Sequence, residues 1–184
     1  MEPTKIIEEL QNRLSLQRFQ HVLRVTETAK SLAKMNGESI ESAETAALFH
    51  DIAKNMDAEK MKELLTQYNA DPLLFEFHKE LWHAPAGAII AREEFGIQDE
   101  DILNAIRFHT TGRAHMSKLE MILYIADMTE PGRDFPEVDE LRLLAEGPLD
   151  QAMRSCITQT LNHLIGKQVP VYPDSIECYN YFVK

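Results

Sequence analysis

Where glycine and proline are missing constrains this chain most. Of its 184 residues seven are glycine and eight proline, and none of these falls within 4–36, 38–71 or 113–130. Stretches that long without a breaker, with apolar residues at spacings of three and four, read as helices. Capping residues divide them. Ser15 opens "LQRFQHVLRVTETAKSLAKMNG", which Gly37 closes. Ser39 caps a helix through "ESAETAALFHDIAK", Asp57 caps "AEKMKELLTQYN", Asp99 caps "EDILNAIRFH" and Ser117 caps "KLEMILYIADMT". Pro85 suits the first turn of "HAPAGAIIAREEFG". "PTKIIEELQNRL" is a short opening helix with Thr4 as its expected cap. "EPGRDFPEV" is a loop, helices follow near "VDELRLLAEG" and "PLDQAMRSCITQTLNHLIG", and the tail is a loop and a last short helix. The expected fold is all-α, a single-domain bundle of nine or ten helices spanning 1–184.

Chemistry enters through polar residues on apolar stripes. His21 shares a stripe with Val25, Ala29 and Leu32; Ala43, Ala46 and Ala47 lead to His50; Ile102, Ala105 and Ile106 lead to His109; Leu119 and Leu123 lead to Asp127. His83 stands at a helix start. With seven histidines and ten aspartates, a His-Asp pair is expected by chance about 0.4 times, so His50-Asp51 alone decides nothing. Several helices each bringing one inward ligand carry more weight, because facing helices of a bundle can supply a shared metal site. Read singly, each histidine is more simply a hydrogen-bonded core residue. Lys54 reads equally as a cation at a helix end, Arg133 as a partner of Asp134 or Glu130, and Arg113 as a surface charge. Trp82 reads as core, and His78, His115 and His163 as non-functional.

The formal net charge of -11 argues against a nucleic-acid polymer or an anionic membrane as partner. Two cysteines make no disulfide framework, no apolar run approaches the roughly 20 residues of a membrane span, and the N-terminus lacks a signal-peptide core. The expectation is a cytoplasmic protein.

The order His21, His50-Asp51, Asp127 resembles the HD superfamily of metal-dependent phosphohydrolases. The further segments "HAPAGA", "FHTTGR", "KLEMILYIADMTEPGRDFP" and "VYPDSIECYNYF" resemble its YqeK family of symmetrical bis(5'-nucleosyl)-tetraphosphatases. That resemblance implies a helical HD core over about 16–166, with a tail, 167–184, packing near the active site. It implies cleavage of diadenosine tetraphosphate into two ADP and a divalent metal, most often iron, with manganese, cobalt or zinc suiting the same donors. The metal ligands it implies are His21, His50, Asp51 and Asp127. Asp51, Asp127 and Lys54 would act in catalysis. Arg18, Lys54, His83, His109, Thr110, Arg133, Pro170, Val171, Tyr172 and Ser175 would contact substrate, helped by Thr111 and Gly112 beside His109. Whether His83 and His109 hold a second metal or face the phosphates stays open at this point, as does a homodimer. The alternatives are a mononucleotide phosphohydrolase and a nucleotide-sensing protein without turnover.

Overall fold

The computed structural model describes residues 3–184, with side chains from Ile6 onward. Ten α-helices carry the chain: α1 (Pro3–Arg13), α2 (Leu16–Asn36), α3 (Ile40–Phe49), α4 (Ala58–Gln67), α5 (His83–Glu93), α6 (Glu100–Phe108), α7 (Lys118–Thr129), α8 (Val138–Ala145), α9 (Leu149–Gly166) and α10 (Pro173–Phe182). Two short 3-10 turns, Pro72–Glu76 and Lys79–Leu81, lie between α4 and α5, and no strand occurs among the described residues. Among the described residues no helix is long and apolar enough to cross a membrane.

The caps act through the groups expected of them. Ser15 accepts from the Arg18 N–H, Ser39 from Ser42, Asp57 from Glu59 and Lys60, Asp99 from Asp101 and Ser117 from Glu120. Gly37 ends α2 at φ 66°, a left-handed conformation that glycine takes without strain. Two expectations are corrected. Thr4 lies inside α1, which begins at Pro3, where a missing N–H costs nothing. The helix expected through Lys54 stops at Phe49. There the His50 ring occupies the Ala47 carbonyl (Nδ1···O 2.6 Å), and residues 50–56 continue as tight turns with bonds from Ile52, Lys54 and Met56 to carbonyls three residues back.

Helix α7 is the axis of the fold. Every residue from Leu119 to Ala126 is buried, and the helix packs against α2, α3, α6, α8 and α9. A helix covered on all sides belongs in the middle of a core. One contiguous apolar cluster runs from Ile6 to Phe182. The ends of α3, α6 and α7, the start of α5 and the middle of α2 meet at one end of it, where the polar residues gather.

Candidate metal centre

His21, on α2, and His50, after α3, converge with Asp127 of α7 so that their ligand atoms lie within 4.8 Å of one another. His50, Asp51 and His109 do the same. The Asp51 carboxylate stands between two groups. Its Oδ2 faces His50 Nε2 (3.3 Å), His21 Nε2 (3.6 Å) and Arg18 (2.8 Å); its Oδ1 faces His83 Nε2 (3.0 Å) and His109 Nε2 (3.9 Å). All four histidines and Asp51 are buried.

Hydrogen bonds at the far nitrogens set the tautomers. A carbonyl can only accept, so His50 and His109 hold their protons on Nδ1, toward Ala47 (2.6 Å) and Ile106 (2.8 Å). His21 Nδ1 lies 3.0 Å from the Glu130 carboxylate, which asks the same of it. These three rings therefore turn an Nε2 lone pair inward. His83 is the exception: its Nδ1 faces the Lys54 ammonium at 3.5 Å, so its Nε2 carries the proton toward Asp51 and toward His109 Nε2 at 3.1 Å.

The donor set fits a cation. His21 Nε2 and His50 Nε2 are buried without a hydrogen-bond partner, because the nearby carboxylate oxygens lie out of line; Asp127 Oδ1 is only 3.0 Å from His21. An orphaned buried nitrogen costs free energy, and a divalent ion held by these two, the buried Asp51 and the half-buried Asp127 would satisfy both together. Burial works against ionisation of Asp51 and Asp127. Together, His50 and His83 around Asp51, and Arg133, His21 and His50 around Asp127, outweigh it, so both carboxyls sit well below their ordinary range. Burial and the neighbouring His50 and His83 push His109 down to about 3.

Around this cluster lie cations. Arg18 bonds Asp51. Arg133 bonds both the side chain and, at 2.7 Å, the backbone carbonyl of Asp127, rather than the Asp134 or Glu130 that the sequence also offered. Lys54 pairs with Glu80 at 2.9 Å. A groove of about 440 Å³ opens on this side, lined by Arg18, Arg24, Lys54 and Arg133. A second cavity, of about 410 Å³, lies beside Pro85 and Thr110, with Leu81, Ile89, Phe108 and Tyr172 in its walls. The Thr110 hydroxyl is buried without a partner. Tyr172 sets its ring edge-on to Phe77 (5.1 Å) and its hydroxyl 3.5 Å from Asp71. Pro170, Val171 and Ser175 line neither space: the first two precede α10, and Ser175 is buried in its first turn.

Two residues escaped the sequence reading. Glu130, 1 % exposed, receives His21 Nδ1, Arg24 Nε (2.5 Å) and the Gly132 N–H (2.6 Å). Burial would raise its pKa, but bonds from Arg24 and His21 bring it to about 2. Arg24 and Arg18 each lie three residues from His21, and Glu130 three from Asp127, so each shares its ligand's helix face; that spacing was the available signal. Arg113 instead forms a two-pronged pair with buried Glu120. His78 caps a 3-10 turn, His115 packs on Tyr181, and Trp82 bonds the Leu74 carbonyl.

The HD domain model matches residues 18–132. The symmetrical bis(5'-nucleosyl)-tetraphosphatase of Bacillus subtilis is 44% identical over 174 residues, which is 95% of this chain and 94% of that one. The enzyme of the same name from Halalkalibacterium halodurans is 44% identical over 96% of this chain and 94% of its own. A crystal structure from Clostridium acetobutylicum, described as a predicted HD superfamily hydrolase involved in NAD metabolism, superposes with a TM-score of 0.95 at 41% identity, covering 100% of this chain and 97% of that one. The match to the HD domain model and the likeness along nearly the whole length lead to one conclusion: this chain belongs to the HD-domain family of metal-dependent hydrolases, in its branch of symmetrical bis(5'-nucleosyl)-tetraphosphatases.

Proposed function

We propose that the protein hydrolyses diadenosine tetraphosphate, and dinucleoside tetraphosphates generally, at the central phosphoric anhydride. Water adds across the bond between the second and third phosphates, and two ADP leave. The observation that carries this reading is the pair of inward, unpartnered imidazole nitrogens of His21 and His50 beside Asp51 and Asp127, in a chain 44% identical to two enzymes of that name.

In this reading His21, His50, Asp51 and Asp127 hold one divalent ion. Mixed imidazole and carboxylate donors suit iron, the metal we propose, and also manganese, cobalt or zinc. When bound, the ion supplies Lewis acidity toward phosphoryl oxygen and water. The chain's own groups do the rest. The Asp51 or Asp127 carboxylate orients the attacking water and takes its proton. Lys54, Arg18 and Arg133 neutralise charge on the polyphosphate, with the arginine forks suited to two-pronged contacts. His83 and His109 stand on the Oδ1 side of Asp51, next to the Lys54 ammonium, and we assign this pair to the phosphates of the substrate rather than to a second metal. One nucleoside occupies the cavity beside Thr110 and Tyr172, where Leu81, Ile89 and Phe108 give apolar wall and Asp71, Arg92, Arg107 and Asp174 bring charged groups. Pro170, Val171 and Ser175 serve by holding Tyr172 in place. The whole span acts as one HD-type unit, with the tail closing that cavity.

We place the protein in the cytoplasm, where its two free, buried cysteines stay reduced. Chromatography of the products tests the reaction: ADP alone supports it, and ATP with AMP refutes it. Asp51→Ala and His50→Ala are expected to cut turnover at least 10³-fold with circular dichroism unchanged. Unaltered turnover in both would refute the assigned centre.

A further inference from the structure

We infer that the protein reads only one nucleoside of its substrate, so that nucleoside 5'-tetraphosphates without a second nucleoside are substrates in their own right. The inference rests on the tetraphosphatase reading above and adds how the two halves of the substrate are held.

The substrate has twofold symmetry, but the site does not. Asp51 divides the polar cluster: its Oδ1 faces His83 and His109, its Oδ2 faces His21, His50 and Arg18. On the side of the first end lies the 410 Å³ cavity, lined by Pro85 and Thr110, close in the chain to His83 and His109, and its Leu81, Ile89, Phe108 and Tyr172 offer a purine apolar wall. At the second end is the 440 Å³ groove. Arg18, Arg24, Lys54 and Arg133 line it together with the Glu80 and Glu130 carboxylates; among the described residues its only ring is the buried His21 imidazole, and no aliphatic or other aromatic side chain reaches it. A second base gains no apolar pocket there. A pair of phosphates meets four cations there, with Lys54 shared with Glu80 and Arg24 with Glu130.

These cations are already arranged for sharing. Arg18 is held by Asp51, Arg133 by Asp127 and Arg24 by Glu130, so each fork stands in place before a phosphate arrives. Holding an arginine in advance lowers the entropy lost when it binds an anion. The groove therefore recognises the far half of the substrate as pyrophosphate. With adenosine 5'-tetraphosphate the same bond, between the β and γ phosphorus atoms, is broken. Water supplies the new P–O bond, and ADP and pyrophosphate leave, with the water's protons passing to the products and solvent. The terminal phosphate carries more charge than the esterified one it replaces, which the groove's cations offset.

The test compares kcat/KM of the metal-loaded protein for diadenosine tetraphosphate, adenosine 5'-tetraphosphate and ATP. The expected result is a value for adenosine 5'-tetraphosphate within fivefold of that for diadenosine tetraphosphate, with ADP and pyrophosphate in equal amounts. ATP, which puts one phosphate into the groove instead of two, is expected to be at least tenfold poorer. Stacking of a second base on protein would appear as a loss of roughly fivefold to a hundredfold, so a loss beyond fivefold overturns the inference. ATP cleaved as well as the tetraphosphate overturns the pyrophosphate assignment. If diadenosine tetraphosphate itself is not cleaved, the tetraphosphatase reading fails, and this inference with it.

Discussion

Glu130 touches no substrate in the reading above, yet Glu130→Gln is expected to weaken metal binding. Its two oxygens take three partners: Oε1 faces His21 Nδ1 (3.0 Å), and Oε2 takes the Arg24 Nε (2.5 Å) and Gly132 N–H (2.6 Å). Glutamine has the same shape but only one acceptor oxygen. If that oxygen keeps Arg24 and Gly132, the new NH₂ points at His21 Nδ1, which must then accept. The His21 proton moves to Nε2 and blocks the lone pair turned toward the centre. If the oxygen serves His21 instead, the NH₂ meets two other donors. The first arrangement keeps more bonds, so the wrong His21 tautomer dominates. Loss of such a supporting partner costs roughly 10- to 100-fold in metal affinity, or about 1.4–2.8 kcal/mol. Stability should fall by only about 1–2 kcal/mol, because the Arg24 side chain is 37% exposed and stays hydrated. Apo-protein titrated with Mn²⁺ by calorimetry measures the first quantity, and thermal melting of the apo-protein the second. An Mn²⁺ Kd within twofold of the unaltered protein would refute the tautomer argument.

Two further perturbations test the fold around the site. Gly112→Ala combines a left-handed φ of 63° with a Cβ only 2.6 Å from Cys178 Sγ, whereas Gly37→Ala meets φ 66° but nothing within 4 Å. The first should cost about 2–4 kcal/mol and the second about 1, so Tm should fall by roughly 5–15 °C against 2–4 °C; equal losses in a melting comparison would count against the packing of α10. Burial pushes both Cys156 and Cys178 up to about 12. Since the thiolate is the reacting species, iodoacetamide at pH 8 should label neither thiol in the native protein and two after denaturation, and labelling should rise with pH; rapid native labelling would place a cysteine at the surface.

The sequence displayed its helix ends openly, because a Ser or Asp cap and a left-handed glycine act within three or four residues. Ser15, Ser39, Asp57, Asp99, Ser117 and Gly37 each do locally what their type suggests. The end of α3 was hidden for the opposite reason. His50 gives its ring to the Ala47 carbonyl, and no propensity records a ring competing with the backbone. Of the proposed ligands, His21, His50 and Asp127 were legible as polar interruptions of apolar stripes and Asp51 only as the neighbour of His50, and the structure brings the four side chains together. Glu130 and Arg24 were not, because a Glu in a Pro-Gly loop and an Arg on a helix look like solvated charges until folding joins positions 106 residues apart. The 410 Å³ cavity was equally hidden. The 3-10 turn Pro72–Glu76 that supplies Leu74 to it has no helical or strand period to betray it.

An acidic chain that handles a polyanion poses an electrostatic problem, and the pairing around the centre shows how it is met. With a formal charge of -11, the chain's long-range field opposes the substrate. Within a few ångströms the balance differs, because short-range interactions at a partly buried site are screened far less than those across solvent. Asp51, Asp127 and Glu130 would be costly to bury alone, and each is tied to an arginine of the groove. The same three carboxylates face the histidine cluster: Asp51 and Asp127 lie beside its inward nitrogens, and Glu130 bonds His21 Nδ1. Neutralising Asp51 and Asp127 from the histidine side therefore frees Arg18 and Arg133 to meet phosphate on the other. Metal and substrate affinity should accordingly be coupled through these two carboxylates. ADP should bind the Mn²⁺-loaded protein at least tenfold more tightly than the apo-protein, and Arg133→Lys, which keeps the charge but loses the fork, should shrink that ratio. An ADP affinity indifferent to metal would mean that the arginines are structural props for the carboxylates and nothing more.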